Sequence, residues 1–337
     1  MARGRLFGID AEFIIRNEDN AFVSAHLLAE KGLYEMPEGI TNALVGRDGV
    51  FLEVATTPTY CRILLLRALY DGLKAGMRML QRRNDRFVET TKLRPQHATE
   101  VRIPAAHFKV LPETANVAGC AGSLNVYGDG RGPEEGTLLG PKRYGGLHFH
   151  YSGDSIRTET TIPWKVRLLD RMVGLVSVLM DPFPKQAALR RKMYGEAGCY
   201  RQRRVRGGDV LVLEYRVPSG CLALSPTAIH VLAGLTEDAL KTPRLGPRAC
   251  QLGIGNTTIQ GIINESDQKE ARKAFAHVFK TEPFKRWLAR EFPYRRFTVE
   301  NLIRIFASMG RRIAPVNDRN AVPTASHFVQ RWKEKEE

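Results

Sequence analysis

The sequence predicts an α+β fold, helices backing an antiparallel sheet, because strand-like alternation fills the early chain and helical periodicity the late chain. No internal repeat interrupts that order. The first strand is Leu6–Ile15. The second region, Val45–Ala55, carries an Arg47-Asp48-Gly49 turn signal before Val50, Phe51 and Leu52. From Ile63 to about Arg82, Leu66, Leu69, Tyr70, Leu73, Met77 and Leu80 recur on one helical face, which marks a core-facing scaffold helix. Residues 112–145 are rich in Gly, Pro and small polar side chains and read as one long loop, functional or mobile.

A strand at Leu147–Tyr151 follows, then a helix from Pro163 to Met180, a basic stretch at Arg190–Arg206 and a strand at Val210–Val217. Helices are expected at Thr227–Leu240, Asp267–Phe279, Pro283–Glu291 and Val299–Ser308. The expected organisation is a single catalytic domain over residues 1–315 and a charged tail over 316–337.

The chain has 337 residues, 43% hydrophobic and 26% charged, the composition of a soluble globular protein with room for a core. The longest apolar stretch, Leu168–Met180, is broken by Asp170 and Arg171, so no segment is expected to span a bilayer. The opening MARGRLFGIDAEF lacks the apolar core of a secretory signal, and a cytoplasmic protein is expected. Five cysteines, Cys61, Cys120, Cys199, Cys221 and Cys250, show no CxxC spacing and read as reduced thiols. The net charge of +15 implies an anionic partner: nucleotide phosphate, nucleic acid or an acidic polymer.

Four short segments carry the chemistry. Asp10 and Glu12 stand two apart in a strand, so both carboxylates leave one face while Ile9, Ala11 and Phe13 leave the other. Such a pair needs a cation, an arginine or solvent opposite it. Glu53 is a single acid in the apolar VFLEVATTP, and Asp48 before it suits an Asp-Gly turn. His148 and His150 alternate in GGLHFHYS, either as core residues or as ligands, and the glycines before them allow close approach by a ligand. Glu214 and Arg216 alternate in VLEYRVPSG, in isolation an intrastrand ion pair.

If these strands are neighbours, one sheet face becomes a basin of carboxylates and imidazoles rimmed by guanidinium groups, a set suited to Mg²⁺ or Mn²⁺ and to phosphoryl transfer. The stretch RRKMYGEAGCYRQRRVRGG adds Arg190, Arg191, Lys192, Arg201, Arg203, Arg204 and Arg206, read as a solvated basic loop, a nucleic-acid patch or a phosphate site. No P-loop, GxGxxG after a strand, GxSxG or HExxH is present, and GIGNTTIQG at 253–261 has the wrong spacing.

In order along the chain, DAEF, DGVFLEVATTP, GCAGSLNVYG, KRYGGLHFH, RRKMYGEAGCYR and LEYRVPSG resemble the phage-encoded COOH-NH2 ligases of type 2, in the glutamine synthetase and glutamate-cysteine ligase superfamily. The resemblance runs from about residue 6 to 225. It implies a curved, glutamine-synthetase-like antiparallel sheet whose concave face binds divalent metals and ATP. By motif, Glu12 and Glu53 resemble ligands of the metal near the substrate carboxylate. Asp10, His148 and Glu214 resemble ligands of the metal bridging the ATP phosphates. His150 would lie near the nucleotide, Arg216 would stabilise the transferring phosphoryl group, and Arg201, with Arg203 beside it, would hold phosphate or carboxylate. One departure is Asp10, shorter by a methylene than the glutamate of glutamine synthetase, which implies a shifted metal or an inserted water.

The implied activity is ATP-dependent joining of a small or polymer-attached carboxylate to an amine through an acyl phosphate. The alternatives are a guanidino or carboxylate phosphotransferase of the same fold, and a nucleic-acid-binding protein with a degenerate ligase fold.

Overall fold

The structure, a computed structural model, describes residues 6–28, 34–84, 87, 91–117, 122–128, 137–153, 156, 158–205, 210–242 and 251–313. The expected tail at 316–337, Cys120, Cys250 and Arg206 lie outside the described residues.

The centre is a seven-stranded antiparallel sheet made of β1 (Leu6–Phe13), β2 (Ala43–Asp48), β3 (Phe51–Thr56), β4 (Leu124–Asn125), β5 (Leu147–Ser152), β6 (Cys199–Val205) and β7 (Val210–Tyr215). Its order is β2-β3-β1-β5-β7-β6-β4. The mixed helix and antiparallel-sheet class is as expected. The second strand region divides at the Asp48-Gly49 turn into a hairpin, and Gly49 has φ +57°, the left-handed backbone that favours glycine there.

Alternation gives the sheet two unlike faces. On one, Ile9, Ala11, Phe13, Leu52, Val54, Leu147, Phe149, Leu213 and Tyr215 are buried in the main core. The scaffold helix α1 (Arg62–Arg83) covers the β2-β3 end of this face, within a residue of its predicted bounds. It comes so close that a Cβ at Gly72 would stand 2.6 Å from Val54 Cγ1 and 2.8 Å from Ala43 Cβ.

Ile162–Leu169, a π turn at Asp170–Gly174 and Leu175–Met180 follow one another in helical backbone, matching the predicted helix but for its middle. Asp170, in the π turn, accepts a 2.8 Å bond from the Tyr215 hydroxyl and so ties this segment to β7. Helices at Pro226–Lys241, Gln268–Phe279, Glu282–Glu291 and Val299–Met309 are close to expectation. The last three contribute Phe275, Phe284, Trp287 and Phe306 to an aromatic cluster with Phe275–Phe284 at 5.2 Å and Phe284–Trp287 at 5.1 Å. Among the described residues, no helix is long and apolar enough to cross a membrane.

Two sequence expectations are corrected. The supposed loop over 112–145 contains a helical turn at Glu113–Asn116, strand β4 and a strand at Lys142–Tyr144 that pairs with Glu100–Arg102. Of the readings open for the basic stretch, the solvated loop does not hold: the stretch runs from the end of a helix, Pro184–Met193, into β6. Arg190 and Arg191 are buried within it. Arg190 donates to the Val217 and Arg216 carbonyls at 3.0 and 2.8 Å, and Arg191 donates to the Ile263 carbonyl at 2.7 Å. Their charges serve backbone carbonyls because burial leaves a guanidinium no water to bond.

Candidate active site on the polar face of the sheet

The other face of the sheet collects the acids, imidazoles and arginines. Directly opposed residues of an antiparallel pair point to the same side. Glu12 opposes Glu53, Asp10 opposes His148, His150 opposes Glu214, and Glu214 opposes Arg201. Asp48, two residues on from Gly46 opposite Glu53, and Arg203, two from Arg201, share that side. All ten of these residues therefore lie on or beside one face, the tenth being Arg216, just past the end of β7.

Carboxylates gather at the β3-β1 end. Glu12 Oε2 accepts a 2.6 Å bond from the Gly146 N–H and lies 2.9 Å from the Tyr194 hydroxyl. Burial first, then the Asp48 charge, pushes Glu12 up to about 7, against the lowering effect of the Gly146 bond. Glu53 is raised well above the ordinary carboxylate range by burial and then by Asp48, Asp10 and Glu12, although the Tyr34 hydroxyl bonds it.

The β5-β7 end is paired. Burial would raise Asp10, but His150, whose Nε2 is 2.9 Å from Asp10 Oδ2, outweighs it and holds Asp10 below its ordinary value. Burial works against the His150 cation as well, and Asp10 still raises its pKa. Glu214 Oε1 lies 3.0 Å from Arg216 Nε, 3.6 Å from His148 Nδ1 and 4.0 Å from Arg201 Nη1. Arg216 also donates to Ser123 Oγ at 2.8 Å. Burial and then the Arg216 and Arg190 charges hold His148 well below its ordinary value, as a neutral imidazole.

Among the described residues, no group of three or more His, Cys, Asp and Glu is drawn together closely enough to hold a metal ion. The donor chemistry nevertheless fits a divalent cation. Glu12 and Glu53 oppose each other with their ionised forms disfavoured, and an oxygen-seeking cation would relieve both. The buried Nε2 of the neutral His148 has no hydrogen-bond partner. Glu214 and Asp10, in contrast, already have cationic side chains beside them. The close approach expected of a ligand at the glycines is made at Gly146 by the protein itself: a Cβ there would stand 2.5 Å from His148 Nε2 and 2.8 Å from Arg190 Nη2.

No family model matches the sequence, and no curated protein matches it. A similar solved structure is the crystal structure of the complex between prokaryotic ubiquitin-like protein Pup and its ligase PafA. The likeness has a TM-score of 0.46 and 11% identity, over 97% of this chain and 65% of that chain, so this chain spans less than two thirds of its neighbour. At that distance the comparison assigns no activity, and the chemistry is argued from the residues themselves.

Sequence reasoning missed three side chains here. Tyr194 lies within RRKMYGEAGCYR and Ser123 within GCAGSLNVYG, with no local pattern that marks either. Tyr34, which bonds Glu53, belongs to no motif; it is brought there by the tertiary structure, where the neighbouring Glu35 makes an isolated bridge to Val45 of β2.

Proposed function

We propose that this chain is an ATP-dependent carboxylate-amine ligase acting through an acyl phosphate, with a single catalytic domain over residues 1–315. What supports this reading is the strand register, which sets an acid-rich end, Glu12, Glu53 and Asp48, beside an end built of His150, Glu214, Arg201, Arg203 and Arg216 on one face.

In this proposal Glu12 and Glu53 hold one divalent cation, and His148, Glu214 and Asp10 hold the second. Bound Mg²⁺ or Mn²⁺ supplies charge neutralisation at the carboxylate and phosphate oxygens. The γ-phosphoryl group passes from ATP to the substrate carboxylate, giving ADP and an acyl phosphate. The amine then attacks the acyl carbon, phosphate leaves, and the nitrogen loses a proton to give the amide. Arg216, oriented by Ser123 and Glu214, faces the charge on the transferring group, and Arg201 and Arg203 hold the outer phosphates. His150, oriented by Asp10, borders the nucleotide. No covalent protein nucleophile is required.

The test is ADP release with Mg²⁺ or Mn²⁺ against amino acids, polyamines and peptides, with mass spectrometry of the products. ADP formation that needs both a carboxylate and an amine, together with transfer of ¹⁸O from the labelled carboxylate to phosphate, is expected. A stable phosphorylated product would establish the phosphotransferase alternative instead. Glu53→Gln and Glu214→Gln should each abolish ADP release while leaving the circular dichroism spectrum unchanged, and full activity in both would refute the site.

A further inference from the structure

Tyr194 touches both ends of the candidate site. It ends the helix Pro184–Met193 in extended backbone, and its hydroxyl lies 2.9 Å from Glu12 Oε2 and 2.6 Å from the Tyr144 carbonyl. Its ring centroid is 4.5 Å from the Arg190 guanidinium carbon and 5.5 Å from that of Arg216, and the His148 ring packs against it edge-on at 6.4 Å. Arg190 in turn is anchored on the Val217 and Arg216 carbonyls.

One aromatic side chain thus borders a carboxylate of the acid-rich end and the guanidinium beside Glu214. Neither neighbour is placed by its own strand alone. The Glu12 side chain could rotate away from Glu53, and Arg216 lies beyond the last residue of β7. The hydroxyl orients the carboxylate and the ring supports the guanidinium, two separable tasks for one residue.

We infer that Tyr194 is a positioning residue: its hydroxyl sets the Glu12 carboxylate for a divalent cation, and its ring sets the Arg216 guanidinium for the anionic nucleotide. The inference rests on the proposed metal and nucleotide site and assigns to Tyr194 an action through Glu12 and Arg216 and not on the reacting atoms. Because the tasks belong to different atoms, Tyr194→Phe removes the first and keeps the second, whereas Tyr194→Leu removes both.

The test measures two affinities on the full chain: Mn²⁺ alone, from the free-ion electron paramagnetic resonance signal, and a non-hydrolysable ATP analogue at saturating Mn²⁺. Tyr194→Phe should weaken Mn²⁺ binding roughly tenfold, the scale of lost ligand orientation, with analogue affinity unchanged. Tyr194→Leu should weaken both. In the double variant with Glu12→Gln, Tyr194→Phe should add nothing to the loss from Glu12→Gln alone, a non-additivity that a general loss of packing would not produce.

Mn²⁺ affinity equal to wild type in Tyr194→Phe, with Glu12→Gln impaired, overturns the role of Tyr194 and leaves the site standing. Wild-type Mn²⁺ affinity in Glu12→Gln as well overturns the metal site itself. Should Tyr194→Phe fail to fold, Tyr194→Leu and its double variant with Glu12→Gln give the same cycle; additive losses there overturn the inference.

Discussion

The buried acids at the β3-β1 end make the metal-free protein sensitive to pH in a direction that can be worked out. Glu12 rises from an ordinary 4.5 to about 7 in the folded chain. Folding therefore holds its proton more tightly than the unfolded chain does, and that contribution to stability is fully present below pH 4.5 and is lost as pH rises through 7. With about 1.4 kcal/mol for each pH unit, the loss is about 3 kcal/mol. Glu53, also raised, adds in the same direction.

Other groups titrate in this range too, so the decisive measurement is a difference. Urea unfolding of wild type and Glu12→Gln, both in EDTA, is compared at pH 5 and pH 8. The gap between them should move in favour of the glutamine variant by about 2 to 3 kcal/mol on going from pH 5, where part of the effect is already spent, to pH 8. Millimolar Mn²⁺ at pH 8 should then restabilise wild type by more than Glu12→Gln, which keeps only the second proposed cation site. Parallel pH profiles for the two proteins would refute the claim that Glu12 is held against ionisation by its surroundings.

Two further outcomes are expected. Arg216→Lys keeps a charge but replaces a planar fork that serves Ser123 and Glu214 at once, so ADP release should fall about 100-fold with the fold intact. Steady-state turnover and circular dichroism check it. Gly72→Ala drives a methyl into Val54 and Ala43 beneath the strand that carries Glu53. Overpacking of about 1–3 kcal/mol outweighs the helix propensity gained, and a lowered urea midpoint is the expected readout.

Much of the sheet was legible because alternation leaves a mark when one face is apolar and the other polar. Asp10 and Glu12 among Ile9, Ala11 and Phe13, and His148 and His150 between Leu147, Phe149 and Tyr151, put apolar side chains on one face and polar ones on the other, although Glu12, His148 and His150 are buried too. Helix α1 was legible for the same reason at a different period. The helix Asn256–Asn264 was missed: its glycine, threonine and asparagine content masked the buried Ile259, Ile262 and Ile263 at helical spacing. Arg190 and Arg191 misled because charge is visible in a sequence and burial is not.

From residues alone came the class of the fold, the strands that carry acids, and which side chains share a face within each strand. Strand order came only from the tertiary structure. The bond from Gly146 to Glu12 spans 134 positions, and no local pattern says that β1 lies between β3 and β5. The same assembly decided which charges meet: His150 with Asp10, Arg216 with Glu214, and Glu12 with Glu53. Local sequence sets side-chain direction through backbone geometry, but charge pairing depends on distances that exist only once the sheet has closed its long-range contacts.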